Sequence, residues 1–168
     1  MIHARVAACI VVALVLQVCL FARLPIAGAR ADVPLLLGIA AGFVAGADKG
    51  AVVGFSAGVA FDLLLPTPLG LSALTYTVIG YAAGALGGSV IRAAWWIPVV
   101  TAASASAAGV VLYALVGEVL GQATLSGPSL AAIVAVVAAV NAVLAPVAVR
   151  AMRWSLVDDT AGRRYSPR

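Results

Sequence analysis

LAAIVAVVAAVNAVLAPVAV, residues 130–149, decides the fold class: the run carries no charge and is closed by Arg150, Arg153 and Trp154. About 20 apolar residues in a helix span the hydrocarbon core of a bilayer. Basic and aromatic side chains just beyond such a run suit the headgroup level. Inside it, Asn141 followed by Pro146 reads as a kink or an interhelical hydrogen bond.

The pattern recurs towards the N-terminus, with apolar runs at 6–22, 33–47, 51–65, 69–91 and 97–116. The run at 6–22 is flanked by Arg5 and Arg23 and is about 26 Å long at the helical rise. A cleaved signal peptide, with Ala27-Gly28-Ala29 as the cleavage site, is the alternative for this run. More membrane-type sequence follows it, however, rather than a secreted domain. The separators are Asp48-Lys49-Gly50, the turn Pro66-Thr67-Pro68-Leu69-Gly70, Arg92 with Trp95 and Trp96, and a Gly/Ser/Pro loop at 121–129. Paired prolines and a glycine make a tight turn. The short second and third runs therefore form a helical hairpin, either crossing or re-entrant.

These readings converge on an all-α polytopic transmembrane bundle of about six spans, a single domain over residues 1–154. A polar tail, 155–168, is expected to be disordered and cytoplasmic. Composition agrees. The 168 residues are 64% hydrophobic and 10% charged, against about 45–50% apolar and about 25% charged in soluble domains. A membrane barrel needs alternating segments of about ten residues, and these runs are continuously apolar.

The net charge is +4 and the pI about 9.6. The basic residues flank apolar runs, which is a topology signal and not a nucleic-acid footprint. Six spans put Arg5, Lys49, Arg92, Arg150, Arg153, Arg163, Arg164 and Arg168 on one side, and Arg23 and Arg30 on the other. The positive-inside rule then makes both termini cytoplasmic.

Glycines recur four apart, at 38, 42 and 46, at 50, 54 and 58, and at 80, 84 and 88. Residues at that spacing share a helix face, and a face of glycines lets backbones approach closely in a membrane. The phrases Gly42-Phe43-Val44-Ala45-Gly46, Gly54-Phe55-Ser56-Ala57-Gly58 and Gly80-Tyr81-Ala82-Ala83-Gly84 repeat it. Packing chemistry explains them, with an inverted repeat as the alternative.

Asp62 extends the face of Gly54 and Gly58. An Asp at mid-membrane costs about 2.5–3.5 kcal/mol, so such residues face a partner or a cavity. One reading makes Asp62 a buried acceptor that fixes the following turn or contacts another subunit. The other puts it near the interface beside Pro66. Gln17 reads like Asn141, Ser104 and Ser106 as packing residues, and Tyr76 and Tyr81 as packing residues within reach of Asp62. Cys9 and Cys19 read as small apolar residues. There is no phosphate loop, carboxylate pair or metal-ligand cluster, and the lone histidine is His3. The sequence therefore predicts a non-enzyme with no cofactor and no metal.

Residues 54–81 resemble the MreD family of rod shape-determining membrane proteins. The resemblance is carried by Gly58-Val59-Ala60-Phe61-Asp62-Leu63-Leu64, Thr67-Pro68-Leu69-Gly70-Leu71-Ser72-Ala73-Leu74 and Ile79-Gly80-Tyr81. It implies a scaffold or regulator of cell-wall elongation in the bacterial plasma membrane. The implied partners are the lipid bilayer, an MreC-like protein, RodA and a class B penicillin-binding protein synthase. Gly54, Gly58, Asp62, Pro68, Gly70, Ala73, Gly80 and Tyr81 are then the candidate partner or packing residues. The alternative is the substrate-binding membrane subunit of an energy-coupling-factor vitamin transporter, which also has about six spans. A third is a small-solute permease.

Overall fold

A computed structural model describes residues 2–21, 31–65, 68–87, 96–122, 124 and 129–156. Among them the chain is helical throughout, without strands: α1 (Ile2–Leu16) runs on into a π-helical turn (Gln17–Phe21). There follow α2 (Val33–Ala45), α3 (Ala47–Asp62), α4 (Leu71–Gly87), α5 (Ile97–Val119) and α6 (Leu130–Leu156). The six predicted runs thus become six helices in the predicted order. The first, fifth and sixth are long and apolar enough to cross a membrane, while α2 and α4 are shorter apolar helices. Exposed aliphatic side chains cover α1, α5 and α6, with Val143 on α6 at 78% exposure. A surface of that kind is soluble only in lipid, so the chain is a membrane protein.

Several boundaries differ from the sequence reading: α1 starts at Ile2 rather than at Val6, α3 ends at Asp62 rather than at Leu65, and α4 starts at Leu71 rather than at Leu69. The break after the second run falls at Gly46, not at Asp48-Lys49-Gly50, and α3 takes all three of those residues into its first turn. Gly46 has φ +93°, a conformation that side chains with a Cβ rarely adopt, while Asp48 is well placed against the positive end of α3. α5 runs on past residue 116 through Glu118. α6 continues past Arg150 through Trp154 and Ser155 to Leu156, because arginine is a good helix former and nothing there breaks the backbone ladder. The expected tail therefore begins in helix, and residues 157–168 lie outside the described residues. So do Pro66, Thr67, Arg23, Arg30, Arg92, Trp95 and the Ala27-Gly28-Ala29 site.

α2 is the axle of the bundle. It touches every other helix, while α1, α6, α5, α4 and α3 contact one another in that order around it and α3 closes the ring on α1. Residues 33–43 of α2 are all buried, whereas α5 buries only Ala102, Ser106, Gly109, Ala114 and Gly117. Arg5 at the start of α1 donates to the Trp154 carbonyl (3.3 Å) and lies over its ring. The first turn of α1 and the last of α6 therefore share one end of the bundle.

Glycine makes the inner contact between α2, α3 and α4. A Cβ on Gly42 would strike the Gly80 carbonyl, one on Gly54 the Tyr76 carbonyl, and one on Gly58 the Ala73 backbone. Backbone thus lies on backbone, with no side chain between. This is the close approach that small residues permit where lipid supplies no hydrophobic drive.

Candidate functional site

Two carboxylates, one buried and one half-buried, sit at the end of the bundle opposite Arg5 and Trp154. The first is Asp62, the last residue of α3, 1% exposed. Its Oδ2 accepts from the Gly70 N–H (2.8 Å) and the Ala73 N–H (3.3 Å), and its Oδ1 from the Ser72 N–H (3.2 Å). The opening N–H groups of a helix have no intrahelical partners. A side chain just before α4 would normally cap them, but Gly70 stands there, with φ +100°. Asp62 reaches across from the preceding helix and supplies the cap. Its negative charge also faces the positive end of α4.

Of the other residues in the resembling stretch, Pro68 accepts the Leu71 N–H through its carbonyl (3.2 Å). Ala73 packs on Gly58, Gly80 on Gly50, and Gly54 on Tyr76. Tyr81 stands apart, on the outward side of α4 and 52% exposed. The turn-fixing role expected of Asp62 is therefore present in the geometry. Tyr76, expected to pack within reach of Asp62, sends its hydroxyl elsewhere.

That hydroxyl goes to the second carboxylate, Asp32, which in sequence lies between the first two apolar runs. Tyr76 Oη donates to Asp32 Oδ1 (2.8 Å) and Oδ2 (2.9 Å), and the Leu35 N–H donates to Oδ1 (3.1 Å). Asp32 is thus the N-cap of the central helix. Around it lies a network drawn from three other helices. Gln17 donates to the Ala31 carbonyl (2.7 Å) and accepts the Val33 N–H (3.0 Å). Asn141 Nδ2 donates to the Asp32 carbonyl (3.1 Å) and to Ser106 Oγ (2.9 Å). Asn141 and Gln17, which the sequence offers as kink or interhelical hydrogen-bond residues, and Ser106, which it offers as a packing residue, together tie α1, α5 and α6 to the start of α2.

Because α2 begins at Val33, it does not fill the ring to this end. A cavity of about 420 Å³ lies over its N-terminus. Asp32 and Tyr76 face it from the floor, and Phe61, Leu64, Tyr113 and Val137 are among its walls. Phe61 stacks on Tyr76, with ring centroids 6.3 Å apart. A separate and almost wholly apolar groove of about 560 Å³ runs between α1, α2 and α6. Among the described residues no three His, Cys, Asp or Glu side chains are grouped to hold a metal.

No family model, no curated protein and no solved structure matches the chain. The arrangement itself therefore carries the functional argument. It defines a membrane helical bundle with a self-locked hairpin, α3–α4, and a polar-floored cavity over a central helix.

Proposed function

We propose that the protein is a non-catalytic scaffold or regulator of the bacterial cell-wall elongation machinery in the plasma membrane. In this reading it acts beside an MreC-like protein, RodA and a class B penicillin-binding synthase. One observation supports it above others. The residues that carry the resemblance to MreD proteins (Gly58, Asp62, Gly70, Ala73 and Gly80) meet in one unit, the turn held by Asp62 and the backbone interlock beneath it. A unit of that kind gives a rigid platform without a reaction centre, as a scaffold requires. Tyr81 lies on its outward face, where a partner helix would meet it.

The test is a pull-down of the tagged protein from gently solubilised native membranes, with mass spectrometry of what accompanies it. The expected result is recovery of an MreC-like protein or wall synthases, reduced by Tyr81→Ala and lost with Asp62→Ala. Recovery of an ATPase-bearing transport module would instead favour the vitamin-transporter reading. The cavity over α2 is the observation that speaks for that second reading, since clefts between helices are where small ligands bind.

A further inference from the structure

The cavity over the central helix offers a specific chemistry, and it does not depend on the wall-complex reading. Its floor is an acceptor surface. Asp32 is a carboxylate, and the Tyr76 hydroxyl spends its one proton on that carboxylate, leaving only oxygen lone pairs to face a ligand. Gln17 also lines the cavity, but its amide is already engaged with Ala31 and Val33. Among the described lining residues there is no Lys, Arg or His to neutralise Asp32. The walls are aromatic and aliphatic. A carboxylate set among helices is costly to desolvate, and acids inside membrane bundles mark ligand or ion sites. The volume of about 420 Å³ lies in the usual range for small-molecule pockets, roughly 300–1,000 Å³.

We propose that this cavity is a binding site for a small organic amine, its ammonium on Asp32 and Tyr76 and its apolar part against Phe61, Leu64 and Val137. An ammonium brings donors to a floor of acceptors and a positive charge to a carboxylate. A carboxylate ligand would bring like charge, and a wholly apolar one would offer Asp32 no donor.

The experiment uses the full chain in lipid nanodiscs and reads the shift in thermal unfolding. The probes are methylamine, phenethylamine and tryptamine, with phenylpropionate as the anionic counterpart of phenethylamine. Phenethylamine or tryptamine is expected to raise the midpoint in a dose-dependent way, while phenylpropionate leaves it unchanged. Asp32→Asn keeps an oxygen for the Leu35 N–H and a good N-cap, so the variant folds. It is expected to bind the amine about tenfold to a hundredfold more weakly, the usual effect of losing a charge-assisted hydrogen bond. Val137→Trp, which fills the cavity from α6, is expected to abolish the response with Asp32 intact. The proposal is overturned if no amine shifts the midpoint at millimolar concentration, if phenylpropionate acts equally, or if Asp32→Asn binds the amine as well as the parent. None of these results bears on which proteins accompany the chain in a pull-down.

Discussion

The inner trio α2–α4 and the long helices α1, α5 and α6 are held by different means. In the trio, glycine backbones touch, and little else separates the helix axes at Gly42, Gly54 and Gly58. In the long helices the side chains point mostly to lipid, and polar groups make the specific ties. Asn141 binds Ser106 and the Asp32 carbonyl, and Gln17 binds the segment leading into α2. A backbone contact cannot relax around an added atom, whereas a side-chain contact can shift. The same substitution should therefore have very different consequences in the two regions, and that contrast can be broken by mutation.

The largest effect is expected at Gly54. Its Cβ would meet the Tyr76 carbonyl oxygen and carbon, so α3 and α4 must part to admit a side chain. Gly54→Leu is expected to cost about 3 kcal/mol or more. It should show as loss of the monodisperse peak in detergent and an early midpoint in SDS titration. A variant of parental stability would mean that the trio is not the rigid part.

Next comes Asp62. Asp62→Ala strands the Gly70, Ser72 and Ala73 N–H groups, the last two of them buried, and is expected to cost about 2–3 kcal/mol by the same titration. Asp62→Asn should recover about half of that loss. A single amide oxygen at the Oδ2 position still accepts from Gly70 and Ala73, but the amide nitrogen then faces the Ser72 N–H. Equal losses in the two variants would show that charge, rather than acceptor count, holds the turn.

The two carboxylates also differ in how far the sequence could reveal them. Asp62 and the N–H groups it caps are eight to eleven residues apart, so an acid in an apolar run before a Pro/Gly turn already signals a local lock. Asp32 has partners 44 residues away in Tyr76 and 109 away in Asn141, and beside Arg30 and Pro25 it looks like an ordinary loop residue. Only the placement of a short α2 at the centre of the ring brings it among these partners. Gln17 gave a faint signal, being polar within a membrane-length run. Helix order and type were legible because each run is apolar and long enough for a helix. The boundaries at Asp48 and Arg150 were not, because a charge inside a helix near its end is also good helix chemistry.

Asn141 should matter less than Asp62. Asn141→Leu keeps the volume and removes both donors, but the Asp32 carbonyl still accepts the Leu36 N–H (3.1 Å). Ser106 can turn its hydroxyl to its own helix backbone. No buried group is orphaned, so the expected cost is about 1 kcal/mol, in line with interhelical hydrogen bonds in membranes. A loss as large as that of Asp62→Ala would mean that the polar network organises the long helices as firmly as glycine organises the trio.

The smallest effect is expected at Gly109 on α5, and it is the sharpest test of the contrast. Its Cβ would also come close to a neighbour, 2.8 Å from Leu35 Cδ2, but that neighbour is the tip of a flexible side chain and not backbone. A small rotation of Leu35 admits the methyl group, and alanine is the better helix former by about 0.8–1 kcal/mol. The two terms nearly cancel, so Gly109→Ala should stay within about 0.5 kcal/mol of the parent in SDS titration. Gly54→Ala, the same added methyl group set against a carbonyl, should lose about 1–3 kcal/mol. If the two alanine variants lose equally, the distinction between backbone and side-chain contact is wrong, and the glycines of the trio act through helix propensity alone.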